Sequence, residues 1–159
     1  MNQKKLSWWL QVIIMCVGLI GAGFYFFIFP FYGRSLVDAY PEFMYAFWPW
    51  LIFLWLTGIP CYIVLIYGWK IAASIGKDKS FSLENADRLT KISYLAAGDT
   101  AFFVVGNIVF CVLNLNPIWI LLMSMLIAFV GIAIAIIAAA LSHLVMKAAD
   151  LQEQSDLTI

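Results

Sequence analysis

The stretch PIWILLMSMLIAFVGIAIAIIAAALSHLVM, residues 117–146, decides the class of this protein. It contains no Asp, Glu, Lys or Arg. A helix of about 20 apolar residues crosses the roughly 30 Å hydrocarbon core of a bilayer, so this run reads as a membrane span. Pro117 suits its first helical position, where a missing N–H costs nothing. Ahead of it, Asn114-Leu115-Asn116 reads as a tight turn, and a second apolar run from about Ile92 to Leu113 precedes that turn.

Two more spans lie further upstream. One runs from about Phe47 to Ala73, with Pro49 and Pro60 inside it, and Gly76 is a suitable stop. The first runs from about Ser7 to Phe29 and is expected to end at Pro30. Its apolar stretch is longer than a signal peptide's, so it reads as a retained span. Between these two, residues 31–46 hold Arg34, Asp38 and Glu42. Arg34 and Asp38 are spaced to pair on one helical face, as in a short amphipathic helix lying at the membrane surface. Ser82 is a natural N-cap, followed by Glu84 and Asp87 where the helix dipole favours anions. Glu84–Arg88 and Asp87–Lys91 are i,i+4 pairs in the favourable order. Helix three is therefore expected to start in water, over 82–91, before entering the membrane. Residues 147–159 form an acidic tail with Asp150, Glu153 and Asp156.

The expected fold is an all-α bundle of four transmembrane helices in a single membrane domain, residues 1–159. The composition agrees: 65% of residues are hydrophobic, 11% are charged and the mean hydropathy is +0.97. Soluble domains are about 45–50% apolar and 25% charged. A soluble enzyme, a disordered chain and a nucleic-acid-binding surface are all excluded, the last because net charge is zero. All of the nine Lys and Arg residues except Arg34 fall on one side of these spans. The positive-inside rule then places both termini and the 76–91 segment in the cytoplasm of a multi-pass cell-membrane protein.

Catalytic chemistry finds no footing. There is one histidine, no pair of intramembrane carboxylates, and no nucleophile elbow or phosphate loop. Cys16, Cys61 and Cys111 are scattered through apolar runs, which suggests neither a zinc site nor a disulfide framework. The expectation is a protein that is not an enzyme and needs no metal or cofactor.

The sharpest polar feature is Asp99, about 12 Å deeper than Lys91 at 1.5 Å per residue. Ionisable groups at such depth face a partner or a wet cavity. Counting from the turns puts Asp99 level with Gly131 and Ile132 on span four and with Ile59 on span two. Thr57, Gly58 and Pro60 lie near that level, and Pro60 frees the carbonyl of Leu56. Protonated Asp99 is positioned to donate to that carbonyl or to Thr57, with Gln11 approaching from the cytoplasmic side. This layer (Asp99, Thr57, Pro60, Gln11) reads either as a proton- or ligand-sensitive hinge or as interhelical glue worth about 1 kcal/mol. His143 falls level with Arg88, too far away for a contact with Asp99. Asn107 and Ser124 are placed to hydrogen-bond across spans three and four. Small residues Gly18, Gly21, Ala22 and Gly23, and Ala128, Gly131, Ala135 and Ala139, form stripes for close helix packing or for a second copy in a homodimer.

Nearly half of the Phe, Tyr and Trp residues fall between 24 and 50. They read as an aromatic belt or as an outward pocket for an apolar ligand, with Tyr25, Phe29, Tyr32, Tyr40, Trp48 and Trp50 as its candidates. On the cytoplasmic face, Lys77, Lys79, Arg88, Lys91, Asp150 and Glu153 are the candidates for binding a partner.

Four stretches together resemble a family of bacterial four-helix membrane proteins of unknown function. They are Ala39-Tyr40-Pro41-Glu42, Gly58-Ile59-Pro60, Lys77-Asp78-Lys79-Ser80-Phe81-Ser82 and Ser155-Asp156-Leu157-Thr158-Ile159, the last with Ser155 where Asn is common in the family. Members are often encoded beside a Cro/C1-type helix-turn-helix regulator. The resemblance implies a membrane sensor or anchor that controls such a regulator without itself touching nucleic acid. It carries no catalytic residues. The alternative is a small dimeric transporter or resistance protein with Asp99 as its coupling carboxylate.

Overall fold

The computed structural model describes residues 2–157, though not the side chains of Asp156 and Leu157. Among the described residues the chain is helical with no strand, and four helices are long and apolar enough to cross a membrane. The first begins as α1, Gln3–Gly23, and does not stop at Pro30. It winds through a π-helical turn, Phe24–Ile28, and continues as α2, Phe29–Ala39. Proline lacks an N–H and crowds the carbonyl four residues back. Here the Phe29 N–H reaches back five residues to the Phe24 carbonyl, and the wider turn accommodates Pro30 in the first turn of α2. The expected break falls instead before Pro41, where Tyr40 is pushed out of the helical region (φ −134°, ψ 80°) as residues before proline tend to be. The short outer helix is thus present but continuous with the first span. Its expected Arg34–Asp38 pair does not form; both side chains are exposed.

A 3-10 helix, Pro41–Ala46, leads into α3, Phe47–Ile75, which carries Pro60 without breaking. The turn to α4, Leu83–Val112, uses Asp78 in the left-handed region (φ 57°), and Ser82 caps α4 by accepting from the Asn85 N–H at 3.3 Å. Both helical ion pairs form, Arg88 with Glu84 and Lys91 with Asp87 at 2.7 Å. The turn to α5 places Asn114 at φ 56°, a conformation that asparagine tolerates. The last helix, α5, is Ile118–Leu157. The expected tail after Met146 is therefore helical, and Asp150 and Glu153 ride on it. The end of the terminal motif, Thr158-Ile159, and the side chain of Asp156 lie outside the description. At 1.5 Å per residue α5 is about 60 Å long, twice the bilayer core, so its last turns stand clear of the hydrocarbon.

Each long helix packs on its neighbours along the chain: α1 on α3, α3 on α4, α4 on α5. No close backbone approach joins α1 to α4 or α5, or α3 to α5. The four spans form a row and not a closed ring. The start of α1, the end of α5 and the 76–82 turn lie at one end of the row (the terminal end); residues 40–46 and the 113–117 turn lie at the far end.

The α4–α5 seam is built from small and polar residues. Ser124, Ala128, Ala135, Ala138, Ser142 and Ala149 are buried on α5, at the alternating three- and four-residue spacing of a left-handed pair. Ala138 takes the place expected for Ala139, which is exposed, because the seam needs a three-residue step there. Facing it, Ser142 Oγ donates to the Ala86 carbonyl at 2.7 Å and Ser93 Oγ to the Ala135 carbonyl at 2.9 Å. A methyl group at Gly131 would overlap Thr100 Oγ1. Asn107 and Ser124 do not pair as expected. Asn107 accepts from Asn116 Nδ2 at 3.2 Å, whereas Ser124 donates to the Leu121 carbonyl of its own helix at 2.7 Å, the local alternative open to a helical serine. Between α3 and α4, Phe53 packs on Phe102, Phe103 and Phe110 with ring centroids 5.1–5.9 Å apart.

Candidate functional site

The helix registers decide what surrounds Asp99. Tyr62 on α3 donates to the Gly18 carbonyl at 2.7 Å, and Ser7 donates to the Ala72 carbonyl at 2.7 Å. This antiparallel register brings Tyr25, and not Gln11, to the depth of Gly58. Gln11 sits 14 positions earlier, about 20 Å away along the helix, and has no part in the layer. The Tyr25 ring lies on Gly58, where a Cβ would sit 3.2 Å from its Cζ.

Asp99 itself meets a residue that the sequence did not single out. Cys61 Sγ donates to Asp99 Oδ2 at 3.7 Å, while Asp99 Oδ1 is buried with no hydrogen-bond partner among the described residues. Thr57 is buried, but its hydroxyl donates to the Leu54 carbonyl at 2.8 Å rather than meeting Asp99. The Leu56 carbonyl, expected to be freed by Pro60, receives no side-chain donor among the described residues. The layer is therefore Tyr25, Thr57, Gly58, Cys61 and Asp99, drawn from three helices. His143 is exposed beside Thr90 and Ser142, near the terminal end and away from it.

The far end holds a cavity of about 250 Å³. Gly33, Leu36 and Val37 of α2 line it, with Tyr40, Glu42 and Phe43 beyond them. Ala46, Phe47 and Trp50 on one side and Leu115, Asn116, Pro117, Trp119 and Ile120 on the other complete the wall. Gly33 is buried where Phe47 and Trp50 cross it, with ring atoms 3.0 and 3.3 Å from where a Cβ would stand. Of the six aromatic candidates, Tyr40 and Trp50 line this cavity. Tyr32 and Trp48 are 50% and 60% exposed and do not line it, a position suited to a belt facing lipid. Tyr25 belongs to the Asp99 layer instead. Phe29 stands between the two places: its ring is edge-on to Tyr25 at 5.4 Å and to Trp50 at 6.4 Å. Trp119 escaped a reading that sought the pocket within one sequence cluster.

At the terminal end Asn85, 1% exposed, ties the α3–α4 turn together. Its Nδ2 lies 2.6 Å from Ser74 Oγ and 3.0 and 3.1 Å from the carbonyls of Lys79 and Ser80. Its Oδ1 accepts from Arg88 at 3.0 Å. Arg88 is thus committed to holding the turn and is not a free surface charge. Lys91 is paired with Asp87 and hangs over the Tyr67 ring. Lys79 and Glu153 do come together, around a shallow depression with Asp78, Phe81, Ser82 and Gln152. Lys77 and Asp150 are exposed beside it, and Phe81 is 59% exposed.

No group of three or more His, Cys, Asp or Glu side chains among the described residues is placed to hold a metal. The chain is similar to the uncharacterized membrane protein YoaS of Bacillus subtilis (strain 168), with 27% identity over 152 residues, covering 94% of this chain and 95% of that protein. No solved structure matches it. Residues 32–159 match the family described as protein of unknown function DUF2975, and this four-helix membrane protein belongs to that family.

Proposed function

We propose that this protein is a non-enzymatic sensor of the cell membrane whose terminal end holds a cytoplasmic helix-turn-helix regulator. The outward cavity receives the signal. One observation carries the sensing half of this reading: the ring contacts from Trp50 in the cavity wall, through Phe29, to Tyr25, whose ring lies on Gly58 beside the Asp99 layer. Tyr25 sits in the π-helical turn, and such turns recur at functional sites. A ligand that prefers one packing of these rings shifts the population of the whole helix row. The regulator half is supported by the depression where Lys79, Phe81 and Glu153 meet, which offers charges of both signs and an exposed apolar ring, and it rests on the family resemblance.

The test is a photo-crosslinking residue at position 81 in native membranes. An adduct with a helix-turn-helix protein is expected. Repeated recovery of no such adduct contradicts the reading. A second reading, a dimeric transporter with Asp99 as coupling carboxylate, is favoured by the unpartnered Asp99 Oδ1. Proton-coupled flux in liposomes that is lost in Asp99→Asn would select it over the sensor.

A further inference from the structure

We infer that the far-end cavity is a site for an amphipathic cation: an ammonium group, primary or quaternary, carried on an alkyl or acyl chain. The inference rests on reading this cavity as the one that receives the signal, and it names the chemistry of what enters. The wall presents five aromatic side chains, Tyr40, Phe43, Phe47, Trp50 and Trp119, drawn from three separate parts of the chain. Among the described residues, Glu42 is the one charged residue that lines it. Arg34 and Asp38, the nearest other charges in sequence, are not part of the lining.

That combination discriminates among ligands. An anion meets a carboxylate and no cation. A sugar needs a dense set of donors and acceptors, whereas here the one lining amide, Asn116, is buried and donates to Asn107. A neutral hydrocarbon fits the walls but makes no use of Glu42. A cation with an apolar body uses both, because aromatic faces attract ammonium groups electrostatically and the carboxylate adds its charge at the rim. The volume of about 250 Å³ lies just below that of a drug-sized site, which suits a headgroup and a short length of chain. Tyr40 and Trp119 are 54% and 49% exposed, so the mouth is open. A membrane lipid with an ammonium headgroup and a free amphiphile both carry this chemistry.

The experiment uses the full chain in phosphatidylglycerol nanodiscs, with radiolabelled hexyltrimethylammonium as probe and empty discs as background. Saturable binding is expected, with hexanol and hexyl sulfate failing to compete. Glu42→Gln, at an exposed position, is expected to weaken binding by about threefold to tenfold, and Trp50→Leu by a similar factor. Weaker probe binding in discs containing phosphatidylethanolamine identifies a lipid headgroup as the resident ligand; unchanged binding identifies a free amphiphile. No saturable binding, or binding that hexanol matches and Glu42→Gln leaves unchanged, overturns the inference. The regulator is absent from this assay. A failure here with a regulator adduct still formed at position 81 removes the ligand class alone, and ammonium binding without any adduct removes the sensor reading alone.

Discussion

Replacing Asp99 by leucine should make the protein more stable and less functional. The buried Asp99 Oδ1 has no partner, and an unsatisfied buried polar atom costs about 1–3 kcal/mol. The compensation is one thiol contact from Cys61 at 3.7 Å, and interhelical hydrogen bonds in membranes average about 0.6 kcal/mol. The difference leaves about 0.5–2.5 kcal/mol to be recovered by an apolar side chain. Leucine has the same branching and number of heavy atoms as aspartate, and because Asp99 is only half-buried its bulkier methyl groups can be accommodated. Asp99→Asn, which keeps a polar group, should stay near wild type. The assay is reversible unfolding in mixed dodecylmaltoside–SDS micelles followed by circular dichroism, with slopes compared to confirm the same transition. A loss of about 1 kcal/mol or more in Asp99→Leu would show that the carboxylate is glue, and the argument from its unpartnered oxygen would be refuted.

Three further outcomes follow from the packing. Gly131→Ala should lose about 1–2 kcal/mol in the same assay, because overlap with Thr100 Oγ1 outweighs the helix-propensity gain; adding Thr100→Ala should recover most of the loss. Asn85→Ala should cost about 2–4 kcal/mol, since Ser74, two carbonyls and Arg88 each lose one hydrogen bond, and trypsin should then cut faster at Lys77 and Lys79. Asp87→Asn should cost less than about 0.5 kcal/mol, the range of an exposed i,i+4 pair, and double-mutant cycles with Lys91→Gln should show a coupling that fades in high salt.

Much of this was legible in the sequence because bilayer thickness is a coarse ruler. The charge-free run to Met146, the Ser82 cap and both ion pairs on α4 are dictated within a few residues of chain, and they appear as read. Antiparallel counting placed Asp99 two positions from its true partner on α3, near enough to find the layer but not Cys61. Tyr25 was grouped with the outer aromatics because it stands in their sequence cluster, whereas its ring lies on Gly58. The π-helical turn carries the helix through Pro30, and the rotation it introduces lies beyond reach of a propensity argument. The cavity was half legible: Tyr40 and Trp50 come from the aromatic cluster, whereas Trp119 arrives from the first turn of α5, some 70 residues away. The row of helices was not legible at all, since closure of a ring depends on contacts that no local pattern encodes.

The central claim is that the far-end cavity communicates with the terminal end through the Tyr25–Phe29–Trp50 contacts. The direct measurement is the yield of the regulator adduct formed from position 81 in native membranes, with and without hexyltrimethylammonium, in wild type and in Phe29→Leu. The account predicts an adduct in both, with a yield that changes on adding the ammonium in wild type and stays constant in Phe29→Leu. An adduct whose yield responds equally in the two proteins, or no adduct in either, would contradict it.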